Sequence, residues 1–495
     1  MLSAFEPDKS GQNKILAMHP QVSSVPGRIF SGNLYDFLSF KTNFGYHLKK
    51  IYDDPQFADK PVVGIYDLYR PALLIKDPEL IKQILIKDFD CFCYRFHDID
   101  INYDRIGGQM MFYTCYRVWR EMRQKLSPVF TSAKLKYMYP LIQNVAKNIE
   151  AYFDSESEVH PVELKYFCAR YTSDIVATTL LGFQSNSLQN PNEELWKEIA
   201  LLAHFNLKRA IDYMVILFAP KLARLFRSKL LYEKSEEFIK ASINHAVKER
   251  LLRGEQRNDL IDMFVKLRDE ASHNGRDVEK YMQTLIAQAA IFIAAGAETS
   301  STTMSNALFE LAKQPDVQQR LKSEIKQAFD QEESSVLSYE ILNNMKYLEM
   351  VINETLRLYP VLPILERLYK RPAGKSTHYS LRPYCDFDIP NDMSIYISLF
   401  GLHYDPKYWP NPTKFDPDRF SHENKLHINP MTYLPFGSGP HNCIGSRLAM
   451  LQMKCGLVHF LRRHHVRVSK DTVLNPEFDT KSILLEVKGG IHLEV

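Results

Sequence analysis

The stretch Phe436-Gly-Ser-Gly-Pro-His-Asn-Cys443-Ile-Gly445 carries the residues best suited to chemistry. Gly437 and Gly439 permit a tight turn and a backbone approach that a Cβ would block. Cys443 stands just before the helical pattern of residues 446–453, and the partial positive charge and free N–H groups of a helix N-terminus stabilise a thiolate. Gly445 leaves room for a flat, bulky group against the backbone. A thiolate so placed is suited to holding an iron porphyrin from one face. Taken alone, the same thiol is equally a structural cysteine in a Gly-rich turn.

Other constellations recur along the chain. Glu354-Thr-Leu-Arg357 sets an acid and a base at i and i+3 on one helical face, and Phe415-Asp-Pro-Asp-Arg419-Phe420 adds a second arginine further on. Ala295-Gly296-Ala297-Glu298-Thr299-Ser300 interrupts a long apolar helix with an acid and an alcohol. A mid-helix Thr of this kind also bonds back to the carbonyl four residues earlier, merely bending the helix. Trp119-Arg-Glu-Met-Arg123 places a ring and a guanidinium at helical spacing.

The pattern F-x-x-G-x-x-x-C-x-G, met by Phe436, Gly439, Cys443 and Gly445, resembles the haem-thiolate signature of the cytochrome P450 family. The resemblance extends from about residue 41 to 495. It is greatest to the microsomal arthropod branch that metabolises xenobiotics and hormones, through Lys76-Asp-Pro-Glu-Leu-Ile81 and Lys313-Gln-Pro-Asp-Val-Gln318. It implies haem b with Cys443 as the axial iron ligand. It also implies a structural Glu354/Arg357/Arg419 core under the haem, and a proton relay through Thr299 and Glu298. Haem propionates would be met by Trp119, Arg123, Arg367 and His441. The family commonly has Arg where His441 stands, and a histidine bonds a propionate more weakly, and only when protonated or in the right tautomer.

The reaction implied inserts one atom of O2 into a lipophilic substrate, an insecticide-like xenobiotic or an endogenous hormone or lipid. Electrons would come from NADPH through NADPH-cytochrome P450 reductase, with cytochrome b5 as a further donor. A haem-thiolate isomerase or dehydratase, or an inactive haem-binding relative, is the alternative; Thr299 argues against the first, and the intact Cys443, Thr299 and Glu354/Arg357 set against both. Apolar residues Ile291, Phe292, Ala295, Val361, Ile364, Leu365, Ile483 and Leu484 are candidate pocket walls. Basic Arg117, Arg120, Lys125 and Lys454 are candidates for the reductase face.

The elements that position these residues are mainly helical, with a small β region. Strand candidates are Pro61–Tyr66 and Ala72–Ile75, and helical periodicity runs from Arg117 to about Lys370. The longest helix spans Asp277 to about Gln314, uncharged between Met282 and Ala297, and belongs in the middle of the molecule beside the cofactor. A last helix runs from about Ile444 to His464. A closing hairpin of residues 483–487 and 491–495 is expected to turn at Gly489-Gly490. Residues 41–495 read as one catalytic domain.

Composition narrows the classes further. The 495 residues carry 62 Lys+Arg against 59 Asp+Glu, a net charge of +3, with 45% hydrophobic residues. That excludes a disordered chain and a nucleic-acid binder acting through bulk charge. Seven scattered cysteines with no CxxC pattern fit a reducing compartment rather than a disulfide scaffold. Residues 1–40 read as an N-terminal segment without the family's usual apolar anchor. The resemblance to the microsomal branch implies the cytoplasmic face of the endoplasmic reticulum, attached peripherally in this form. Residues 211–220 are the candidate for dipping into the membrane surface. The Asn353-Glu-Thr355 sequon lies within the Glu354 helix and is set aside.

Overall fold

The computed structural model describes residues 22–28, 30–96, 99–154, 161–203, 206–332, 336–372, 374 and 378–495, with the backbone of 6–7 and 14–16. Among these, twelve helices reach nine residues or more. They are α1 Phe44–Tyr52, α2 Tyr116–Leu126, α3 Ser132–Asp154, α4 Leu164–Val176, α5 Glu194–Ala203 and α6 Leu207–Phe218. Then come α7 Glu233–Arg253, α8 Leu260–His273, α9 Val278–Lys313, α10 Pro315–Asp330, α11 Lys346–Leu358 and α12 Ser446–Arg463.

The strands that matter for the site are β1 Val62–Asp67, β2 Arg70–Ile75, β3 Pro161–Glu163, β4 Ile364–Leu368, β5 Ser394–Ser398, β6 Arg467–Val468 and β7 His492–Glu494. One sheet runs β1-β2-β5-β4. Its central pair is parallel (Leu73 opposite Ile395), and its edge β4 is antiparallel (Arg367 opposite Ile395). β1 is buried along its whole length, as its Val-Val-Gly-Ile-Tyr run requires.

Helix α9 begins where Asp277 accepts a hydrogen bond from the Lys280 amide, and it stops at Gln314 because Pro315 opens α10. It is enclosed by other helices through most of its length, as its apolar run demands. Two features let α4 press against it. Gly296 has no Cβ, and one there would stand 2.9 Å from Val176. The Thr172 hydroxyl donates to the Ala297 carbonyl at 2.8 Å. α12 comes just as close to both: a Cβ on Gly456 would lie 2.5 Å from Met304 of α9 and 2.6 Å from the Tyr171 ring of α4. These contacts fix α9 against both neighbours, so the loop leading into α12 has a set position relative to α9.

The expected closing hairpin does not form. Gly489 and Gly490 both adopt positive φ, so a turn is there. β7, however, pairs with β3 and β6, and the Ile491 amide donates to Glu163. Residues 483–487 make only a bridge, Val487 to Phe478. The turn signal was local, whereas the strand partner lies more than three hundred residues earlier in the chain.

Candidate active site

Cys443 sits in a turn drawn shut by its own amide, which donates to the Phe436 carbonyl at 2.8 Å. The amide of Gly437 donates to Leu434 and that of Asn442 to Gly439. Gly437 and Gly439 take φ of +67° and +73°, as the sequence required. At Gly439 a Cβ would stand 2.0 Å from the Leu85 carbonyl oxygen. At Gly445 the nearest atom to such a Cβ, on Phe130, is 4.0 Å away, an ordinary contact, so the backbone there is uncrowded. α12 starts at Ser446, one residue past Gly445. Cys443 is accessible, yet enough protein surrounds it that burial raises its thiol pKa, while the Gly445 amide and the Arg123 guanidinium draw it back down.

The loop is tied to a buried ionic frame. Arg357 meets Glu354 in a two-pronged pair, both bonds 2.8 Å, and neither side chain is exposed at all. Arg419 approaches the same carboxylate at 3.3 Å. The remaining Arg357 donors go to the carbonyls of His403, Pro412 and Lys414. His403, which the sequence did not single out, carries the connection onward: its Nε2 accepts from the Leu434 amide at 3.0 Å. Burial first, and the Arg357 charge second, push the His403 pKa down to about 3, so the ring is neutral and Nε2 is free to accept.

Around the loop stand cations with few acids. Arg367 of β4 is 1% exposed; its Nη1 donates to the Glu366 carbonyl, and its Nε is unpartnered among the described residues. Burial, then the charge of Arg95, depress its pKa to about 9. Glu366 is engaged by Arg95 through both carboxylate oxygens, at 2.8 and 2.9 Å. Arg123 donates to the carbonyl and side chain of Asn442, next to Cys443. His441 packs 4.0 Å from the Trp119 ring and hydrogen-bonds the Cys93 carbonyl through Nε2. Burial, with Arg95 and Arg367 beyond it, holds its pKa down to about 2. His441 is therefore neutral, its single proton sits on the Nε2 that donates to Cys93, and its Nδ1 is an acceptor with no proton to offer an anion. A buried arginine short of a counter-ion beside an accessible thiol and an uncrowded glycine fits a flat iron-bearing group with carboxylate arms. Arg95 escaped sequence reasoning because nothing in Cys93-Tyr-Arg-Phe96 marks it.

α9 is open beside this loop at one place. Ala295 is exposed and Thr299 half-buried in the largely enclosed middle of the helix. The Phe130 ring, 5.3 Å from Phe292 of α9 and near Gly445, spans the two elements. Thr299 donates to the Ala295 carbonyl at 2.8 Å, the back-bonded geometry. Glu298 is engaged elsewhere: it pairs with Lys165 of α4, accepts from Thr302 at 3.4 Å and hydrogen-bonds Glu486. Burial raises its pKa most, but the Lys165 ammonium together with the hydrogen bonds from Glu486 and Thr302 holds it below the usual range; Glu486, buried and beside Glu298, is driven far up and holds the proton between them.

Of the candidate walls, Leu365 lies 3.9 Å from where a Gly437 Cβ would be, and the Leu485 amide donates to Val361, joining two wall segments. Lys454 is withdrawn from the reductase-face candidates: it is buried, bonded to Glu349 and the Asn343 carbonyl, because α12 packs that side inward.

The helical architecture and the Cys443 loop define a haem-thiolate protein class, and the chain belongs to the cytochrome P450 family, whose profile matches residues 30–493. It is 41% identical over 93% of its length to a protein named probable cytochrome P450 6w1 of Drosophila melanogaster, covering 89% of that protein. It is 36% identical over 95% of its length to cytochrome P450 6k1 of Blattella germanica, covering 91% of it. The chain is accordingly a P450 monooxygenase of the arthropod branch.

The neutral His403 generates a pH prediction. Its folded pKa of about 3 lies below the ordinary 6.5, so the unfolded chain takes up a proton that the fold refuses. Stability falls as pH drops from 6.5 towards 3, by up to about 1.4 kcal/mol per pH unit for this one group. His403→Gln keeps an acceptor for Leu434 without titrating. Denaturant midpoints measured across that window are expected to show a shallower acid slope in the variant.

Proposed function

We propose that the protein binds haem b through the Cys443 thiolate and oxidises a lipophilic substrate, a xenobiotic or an endogenous hormone or lipid, using electrons from NADPH delivered by a flavoprotein reductase. The observation that carries this is the accessible Cys443 in a turn whose neighbours include the under-compensated Arg367. The haem would supply oxygen activation; the chain supplies position, charge and protons. Arg367, Arg123 and Trp119 would take the propionates, and His441 would join them only once an incoming carboxylate has drawn a proton onto its Nδ1. Arg123 would exchange its Asn442 bonds for a charge-assisted one. Glu354, Arg357 and Arg419 keep the loop rigid beneath. Thr299, by releasing the Ala295 carbonyl, would present its hydroxyl to the open face of α9. Protons would reach that face from the Glu298–Glu486 pair, with Lys165 setting which carboxyl is charged. The partly open Ile364, Leu365, Ile483 and Leu484 favour an apolar guest.

The purified protein, reduced and exposed to carbon monoxide, is expected to give a strongly red-shifted Soret band that Cys443→Ala abolishes. An unshifted band in the wild type would overturn thiolate ligation. Product formation without NADPH or oxygen would favour the isomerase alternative.

Thr299→Val removes the hydroxyl with little change of shape. Product formed per NADPH consumed is expected to fall about tenfold, a loss within the range of a missing proton-transfer group, while the carbon monoxide spectrum stays as in the wild type. An unchanged ratio would remove Thr299 from the relay.

No helix among the described residues is long and apolar enough to cross a membrane. In residues 211–220, Ile216 and Phe218 of α6 are buried, Phe218 against Phe37 and Phe44, and the remaining apolar side chains are half-buried. The exposed apolar side chains come one turn later, at Leu222, Leu225 (77% exposed) and Phe226, interleaved with Lys221, Arg224 and Arg227. Apolar wedges among cations suit an anionic bilayer surface. In flotation with phosphatidylserine-containing vesicles, Leu225→Asp with Phe226→Asp is expected to lose most of the bound fraction.

A further inference from the structure

Residues 104–113 form a loop fastened at several points, and the strongest fastening is a single side chain of α9. Gln288 is completely buried on α9, two turns before Ala295 and on the same stripe of the helix. Its Oε1 accepts from the Met111 amide at 2.9 Å, and its Nε2 donates to the Gln109 carbonyl at 2.7 Å and to the Thr284 carbonyl at 2.9 Å. One amide side chain thus pairs with the loop backbone as a neighbouring strand would. Thr284, one turn earlier, adds a second hold by donating to the Gln109 side chain at 2.6 Å. Behind the clamp, buried Asp104 accepts from the Gly107 amide and from Leu230 just before α7.

What the clamp positions is the next residue along. Phe112 follows Met111 directly, is partly open, and lies 3.8 Å under the Arg95 guanidinium. Arg95 in turn holds Glu366, beside Arg367. Tyr113 hydrogen-bonds Tyr213 of α6. The loop therefore runs from α9 to the cation cluster beside the cysteine turn, with Phe112 as its partly open apolar ring.

We infer that Gln288 is a positioning residue that sets the size selectivity of the substrate pocket, by fixing the backbone of residues 109–111 to α9 and with it the placement of Phe112. The inference rests on the proposed haem site only for its selectivity readout. Neither Gln288 nor Thr284 belongs to the residues assigned to haem, protons or the cysteine turn. Loss of both hydrogen bonds strands a buried amide and a buried carbonyl in the loop, which then has reason to move off α9. A retreating loop widens the pocket, so the variant should accept bulkier guests relative to small ones.

The test uses Gln288→Ala and Gln288→Glu in the full chain. The first readout is hydrogen exchange of the Met111 amide in the purified full chain, which is independent of activity. Exchange is expected to speed up about tenfold or more in Gln288→Ala, and by less in Gln288→Glu, whose buried carboxyl, kept protonated by the Gln109 and Thr284 carbonyls it faces, still accepts from Met111. The second is the ratio of dissociation constants for 1-phenylimidazole and the far bulkier clotrimazole, read from their spectral shifts on the haem protein. This ratio is expected to move about tenfold towards clotrimazole in Gln288→Ala, with Gln288→Glu between it and the wild type. If Gln288→Ala fails to fold, Thr284→Val, which removes only the Gln109 side-chain bond, is expected to show a smaller change of the same sign in both readouts. Unchanged Met111 exchange would overturn the clamp. Faster exchange with an unchanged affinity ratio would reduce Gln288 to a structural role. An unshifted carbon monoxide band in the wild type would instead sink the haem reading and leave the exchange result standing.

Discussion

The site depends on a carboxylate and a guanidinium that never meet water. Removing Glu354 and Arg357 from solvent costs each several kcal/mol, and their mutual attraction repays this only when every remaining donor finds an acceptor. Here they do: three backbone carbonyls, from His403, Pro412 and Lys414, receive the outward donors of Arg357. Burial still raises the Glu354 carboxyl despite Arg357 and Arg419 beside it, so the pair is costly as well as cohesive. Its value lies in geometry. Those carbonyls belong to the segment between β5 and the cysteine turn, and His403 relays the fixed position to Leu434, one hydrogen bond from Gly437. Nothing in that chain of contacts is long or flexible. The thiol is aimed by a frame that cannot shift without stranding a charge.

The charges near the loop follow the opposite logic. Arg367, Arg95 and Arg123 surround His441 closely enough to depress it, and the acid among them, Glu366, is engaged by Arg95. A fold selected for its own stability has no reason to bury Arg367 with an unpartnered Nε. That deficit makes sense as a preorganised half of a binding site, whose other half arrives with carboxylate groups. The same reasoning explains why His441 is tolerated where an arginine is common: enough positive charge is already present, and a neutral ring adds shape without adding repulsion.

Much of this was legible in the sequence because the informative residues act locally. Asp277 and Pro315 bound α9 within one residue of where they were expected to, since caps and proline breaks depend on neighbours. The positive φ of Gly437 and Gly439 follows from the turn itself. What stayed hidden depends on partners far along the chain. Arg95 matters through Glu366, His403 through Leu434, and Gln288 through a loop whose sequence has no periodicity. Residues 483–487 carried a good strand pattern and a good turn, yet β7 found β3 instead, and no local signal distinguishes the two pairings. Lys454 reads as a surface cation until α12 is seen to turn that face towards Glu349.

α9 therefore answers two demands that conflict. To be fixed between α4 and α12 it needs close contacts, which Gly296 and the buried alcohols of residues 300–305 provide. To serve chemistry it needs an opening, and the opening falls at Ala295 and Thr299, where small side chains leave the helix uncovered. The two faces meet at Glu298. Its carboxylate is held by Lys165 on the packed side, while the adjacent Thr299 stands on the open side. A helix with its polar residues spread evenly would have neither a firm seat nor a defined gap. Concentrating them within two turns gives both, and places the shared proton of the Glu298–Glu486 pair next to the opening of α9 at Ala295 and Thr299.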